Sequence, residues 1–115
     1  MRQVEVRTDE GRVVCERCLV ADGPLTRMRG LLGRSQLGAG EGLLLKPAGS
    51  VHTFFMRFPI DVVFIDRDGN VTRVVPGLRP WRAAGSRGAR AVLELPEGAC
   101  ARAEIVPGSR LRLAL

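Results

Sequence analysis

A chain of 115 residues holds one domain around one apolar core, and its 45% hydrophobic and 26% charged content excludes a disordered polymer. No stretch approaches the roughly 18 to 20 uncharged apolar residues of a membrane span, and MRQVEVRTDE at the start is charged where a secretory signal would be apolar. The expected setting is therefore cytoplasmic, with no membrane association.

The net charge of +6 comes from 18 basic residues that are all arginine apart from Lys46. A GC-rich coding bias produces that skew without selection for an acidic partner. The placement of the charge says more than its sum. Gly23 to Gly40 and Val71 to Leu93 contain no acidic residue, yet hold Arg27, Arg29 and Arg34, then Arg73, Arg79, Arg82, Arg87 and Arg90. Folded together, the two segments would form one positive face.

In chain order, Val4 and Val6 alternate with polar neighbours, the period of a half-buried strand, and Val13 to Ala21 reads as its hairpin partner across the turn at Thr8 to Gly11. Asp22, Gly23 and Pro24 signal a helix start. Leu25, Met28, Leu31 and Leu32 share one face, which predicts a short helix over 24–34. Gly42 to Leu45 is a short strand. Val51 to Arg57 and Ile60 to Asp66 follow as two extended runs broken at Phe58 and Pro59. DRDGN at 66–70 is a tight turn leading into a strand at Val71 to Val75. Pro76 to Gly88 reads as a basic loop with a short extended piece near Leu78 to Arg82, and Ala91 to Leu95, Ala101 to Val106 and Arg110 to Leu113 as closing strands. The expected fold is α+β and β-dominated, a curled antiparallel sheet or small barrel carrying one short helix near residues 24–34 in a single domain, 1–115.

Function is sought where polar groups interrupt an apolar run. His52, Thr53, Arg57 and Asp61 are threaded through the aromatic and aliphatic residues of 50–66. Arg57 and Asp61 flank the Phe58–Pro59 bend, and meeting there would make a charge-assisted pair, either a structural fixing of the bend or part of a pocket. His52 is the single histidine, so proton transfer near neutral pH would fall to it or to a perturbed carboxylate such as Asp61. Arg27 and Arg29 on the predicted helix offer planar donor forks for an anion, against the plainer reading of solvated surface.

Cys15 and Cys18 form one CxxC, with Cys100 distant. In a regular strand a spacing of three sends the two sulfurs to opposite faces, so a zinc site completed by His52 is not expected, and the thiols read as ordinary reduced cysteines. No phosphate-loop, nucleophile-elbow, HExxH or dinucleotide motif is present.

RMRGLLGR at 27–34, GLLL at 42–45, HTFFMRFPIDVVFID at 52–66 with its DG turn, and VLELPEG at 92–98 together resemble the bacterial and archaeal family called domain of unknown function 192. The matching positions are Arg27, Gly30, Leu31, Gly42, Pro59, Asp61, Glu94 and Gly98. Where many relatives resemble Phe-Trp-Met-Lys-Asn-Thr, this chain has Val51 to Met56. The resemblance implies a small barrel-like α+β domain with no assigned activity or cofactor.

The leading expectation is a domain that binds a small anionic or polar ligand, with no cofactor or metal, in a pocket between the early helix and the 52–61 segment. The expected ligand contacts are Arg27, Arg29, His52, Thr53, Arg57 and Asp61. The alternatives are a hydrolase-like enzyme using Asp61 or His52, a weak nucleic-acid-binding domain with Trp81 stacking on a base, and an accessory module with a protein partner.

Overall fold

The computed structural model describes residues 2–23 and 36–114. The predicted helix at 24–34, and with it Arg27 and Arg29, lies outside the described residues.

Among the described residues seven strands form one sheet: β1 (Arg2–Thr8), β2 (Val13–Ala21), β3 (Glu41–Leu45), β5 (Ile60–Ile65), β6 (Val71–Leu78), β8 (Ala91–Pro96) and β9 (Leu111–Ala114). Their order across the sheet is β6-β5-β8-β3-β2-β1-β9. A two-stranded ribbon pairs β4 (Ser50–His52) with β7 (Ala83–Gly85). One short helix, α1 (Ala99–Arg102), follows β8.

The sheet curls strongly into a half-barrel. At one end its two edges meet: Asn70 bridges Arg110, Val71 N–H donates to the Ser109 carbonyl at 2.8 Å, and Leu111 N–H donates to the Gly69 carbonyl at 2.9 Å. Curling divides the interior into two cores, where the chain length predicts one, because both faces of the sheet are covered. The concave face gathers Val6, Cys15, Cys18, Leu44, Val63, Leu93 and Leu95 against Ala99, Cys100 and Ile105. The opposite face gathers Leu43, Leu45, Ile60, Val62, Phe64 and Val92, closed over by Leu37 and Met56, with Val51 and Ala84 of the ribbon packed on it. β5 lies between the two cores, which is why all six of its residues are buried. Both faces of that strand need apolar side chains, and Asp61 is the exception.

Four expectations change. The extended run predicted for Val51 to Arg57 survives only as β4; residues 54 and 55 turn, with Phe55 at φ 67°. The strand predicted for Ala101 to Val106 is instead α1 and its exit, because Gly98 at φ 92° turns the chain out of β8. The loop predicted from Pro76 contributes two more residues to β6 beyond Pro76 and all of β7. β2 and β3 run parallel, Arg17 beside Glu41 through Ala21 beside Leu45, whereas the other strand pairs are antiparallel.

The cysteines give a fifth correction. Val4 is paired with Cys18 and Val6 with Cys15, so three steps along β2 oppose two along β1. This bulge restores the phase that a spacing of three would lose. Both thiols therefore enter the same concave core, with Cys100. A hydrogen bond between Cys15 and Cys18 holds the Cys15 thiol below its usual range and the Cys18 thiol above it.

Candidate functional site

Asp61 projects to the concave side beside Val63 and Ile65 and is only 1% exposed. Its position follows from a bulge on the neighbouring strand: Ile60 is paired with Leu78 and Val62 with Val75, leaving Pro76 and Gly77 opposite Asp61 alone. Proline has no N–H to offer, and the displaced Gly77 N–H donates to Asp61 Oδ1 at 2.9 Å. Asp61 Oδ2 accepts from Gly98 at 3.1 Å and Cys100 at 3.0 Å, the amides that open α1. Burial first, then this carboxylate, push the Cys100 thiol up to about 12.

The arginine expected to pair with Asp61 is elsewhere. Arg57 is exposed, and no ion pair joins the two among the described residues. Backbone amides take the role assigned to its guanidinium. His52 and Asp61 are not brought together either, since His52 ends β4 on the ribbon side and Asp61 faces the other core.

What gathers around His52 is a set of rings. His52 stacks on Phe54 with centroids 4.8 Å apart, Phe54 stacks on Trp81 at 5.8 Å, and Phe55 meets Trp81 edge-on at 4.7 Å. These rings are not a core: Phe54 is 40% exposed, Trp81 56% and Phe55 69%. Phe55 (φ 67°) and Trp81 (φ 65°) both hold left-handed backbone conformations, in which bulky residues are genuine outliers. Each such residue costs on the order of 1–3 kcal/mol, and persists only where the surroundings impose it.

Thr53 imposes it. The side chain is fully buried, and its hydroxyl donates to the Arg79 carbonyl at 2.6 Å while accepting from Arg82 N–H at 2.9 Å. Its own N–H donates to the Arg82 carbonyl at 2.8 Å, and its carbonyl accepts from Trp81 N–H at 3.0 Å. One residue thus clamps the 53–56 turn to the 79–82 turn.

The segments that carry the rings hold basic residues and no acidic ones. On the β1, β2 and β9 side, Arg2, Arg7, Arg12, Arg17 and Arg112 are each paired with a carboxylate. Among the described residues no carboxylate pairs with Arg57, Arg73, Arg79 or Arg82, and neither 42–60 nor 69–93 contains an acid. An open groove of about 550 Å³ runs beside the ribbon, lined by Ser50, Val51, His52, Phe54, Ala83 and neighbours.

Sequence reasoning treated Phe54 and Phe55 as apolar filling. The usable signal was their number, since consecutive phenylalanines beside Thr53 cannot all face inward from a turn. Glu94, marked by the family pattern alone, carries no role in the sequence reading. It is 3% exposed on the β8 face shared with Val92, opposite Leu43 and Val62, and burial raises its carboxyl to about 7.

Fold and site together define a β-dominated half-barrel domain that displays an exposed aromatic ladder beside unpaired arginines. The chain belongs to the family DUF192, Uncharacterized ACR, which matches residues 4–113. It is similar to a protein of unknown function from Novosphingobium aromaticivorans DSM 12444, with 27% identity and a TM-score of 0.81 over 96% of this chain and 83% of that one. It is also similar to a "putative transcription regulator" from Sinorhizobium meliloti 1021, with 27% identity and a TM-score of 0.83 over 96% of this chain and 92% of that one. No curated protein matches. No helix among the described residues is long and apolar enough to cross a membrane.

Proposed function

We propose that this chain is a binding domain that holds a planar, negatively charged ligand on the aromatic ladder. The observation that carries the reading is the pair of solvent-exposed rings, Phe55 and Trp81, held in left-handed backbone by the buried Thr53 clamp. A fold bears such strain where a surface must be presented, not where a core must be filled. Stacking supplies the attraction for a planar ring, and Arg57, Arg79 and Arg82 supply donors for its charge. Of the expected ligand contacts, His52 and Arg57 belong to this surface. Thr53 positions it, and Asp61 serves the opposite core.

Trp81 is the one tryptophan and tyrosine is absent, so intrinsic emission reports this site directly. Titration with a nucleoside monophosphate is expected to quench or shift that emission saturably. The free nucleoside and inorganic phosphate, each offering half of the recognition, should act more weakly. Emission unmoved by nucleoside monophosphates and by planar aromatic carboxylates would remove the reading.

A further inference from the structure

We infer that the ligand is a single nucleic-acid strand, seated with its bases on the His52–Phe54–Trp81 stack and its backbone along the β4–β7 ribbon; this rests on the ladder reading above. The ladder is a series of rings and not one slot. His52, Phe54 and Trp81 follow one another with interplanar angles of 29° and 24°, so their planes lie close to parallel and bases can extend the series from the exposed Trp81. Sequence-tolerant binding of single strands uses such a platform together with a positive track.

The track is present. The ribbon runs from His52 opposite Ala83, at the ladder, to Ser50 opposite Gly85. Two steps of a strand cover about 7 Å. At the far end the Arg73 guanidinium donates to the Gly85 carbonyl at 2.7 Å, which leaves its positive charge without a carboxylate beside the groove. Arg57, Arg79 and Arg82 carry the charge at the ladder end. A mononucleotide on the rings would leave Arg73 unused, whereas a strand reaches both ends. Charge complementarity therefore selects a polyanion over a small anion, and the open rings select unpaired bases over a duplex whose bases are stacked on each other.

The test is fluorescence anisotropy of labelled single-stranded DNA and RNA over a series of salt concentrations. Mononucleotide, duplex and anionic phospholipid vesicles serve as comparison ligands. A single strand is expected to bind at least about tenfold more tightly than the mononucleotide, with log affinity falling against log salt by about 0.7 per neutralised phosphate. Arg73→Gln and Arg79→Gln should each reduce that slope by about 0.7, while Arg112→Gln, on the paired side of the molecule, leaves it unchanged. Phe55→Gly deletes the exposed ring that braces Trp81 edge-on, at a position whose φ of 67° suits glycine, so the variant is expected to melt no lower than the parent while leaving Trp81 unsupported as a platform. It should bind the strand about fivefold or more weakly with the salt slope preserved.

Equal affinity for mononucleotide and strand would overturn the polymer inference and leave the ladder reading standing. Silence toward both would overturn the two together. Duplex bound as tightly as single strand, or vesicles bound where strands are not, would also overturn the inference, because neither uses a base stack.

Discussion

Glu94 sits among aliphatic side chains on β8, where burial raises its carboxyl from the ordinary 4.5 to about 7. The unfolded chain loses this proton near 4.5 and the folded chain holds it until about 7, so folding favours the protonated form. The associated stability is complete below pH 4.5, declines between 4.5 and about 7, and stays at its lower value above. The loss amounts to about 3 kcal/mol. Glu94→Gln, neutral at every pH, should flatten the profile in this window and be the more stable protein at pH 8 in urea unfolding. Parallel profiles for parent and variant would mean that Glu94 titrates alike in the folded and unfolded chains. VLELP showed a charge between two leucines, but alternation alone could not say that both sheet faces are covered. The second core makes Glu94 a buried group.

At the scale of elements, Asp61 ties three pieces of chain together: the Pro76–Gly77 bulge of β6, the turn after β8, and the start of α1. Asp61→Ala would strand three amide donors, and each unmet buried donor costs on the order of 1–3 kcal/mol. A loss of at least about 3 kcal/mol is expected. It should appear as a lowered urea midpoint, with the amides of Gly77, Gly98 and Cys100 exchanging faster with solvent hydrogen. Intact protection at Gly98 and Cys100 would show that the carboxylate is not what holds α1. Gly42 on β3 is under a different constraint. A Cβ there would lie 2.7 Å from Cys15 Sγ and 3.1 Å from the Glu94 carbonyl. Gly42→Ala should therefore cost roughly 1–3 kcal/mol by thermal unfolding, as overpacking does. The sequence marked both residues, Asp61 as a charge inside an apolar strand and Gly42 through the family pattern. Neither reason was visible, because the bulge opposite Asp61 and the thiol beneath Gly42 come from strands distant in the chain.

For the whole molecule, two cores back to back on one curled sheet place all three cysteines in the concave interior. Cys15 and Cys18 are wholly buried and Cys100 nearly so, and such thiols meet reagent only when the domain opens. Labelling by a thiol-specific chromogenic reagent should proceed at one common slow rate that rises with urea as global unfolding does; a fast phase in native buffer would place a cysteine at the surface. The chain by itself determined the β character, most strand positions and the turns at Gly11 and Gly69, because alternation and turn chemistry act over a few neighbouring residues. It also marked 52–61 as the segment where polar groups interrupt apolar ones. Tertiary structure alone decided what those groups do. Bulges reset which face a residue meets, sending Asp61 to backbone amides and both Cys15 and Cys18 inward. The Thr53 clamp joined two turns 26 residues or more apart, and turned Phe54 and Phe55 from expected filling into exposed rings against Trp81. Facing and juxtaposition are long-range properties, fixed when distant strands pair and a single step of register redirects a side chain.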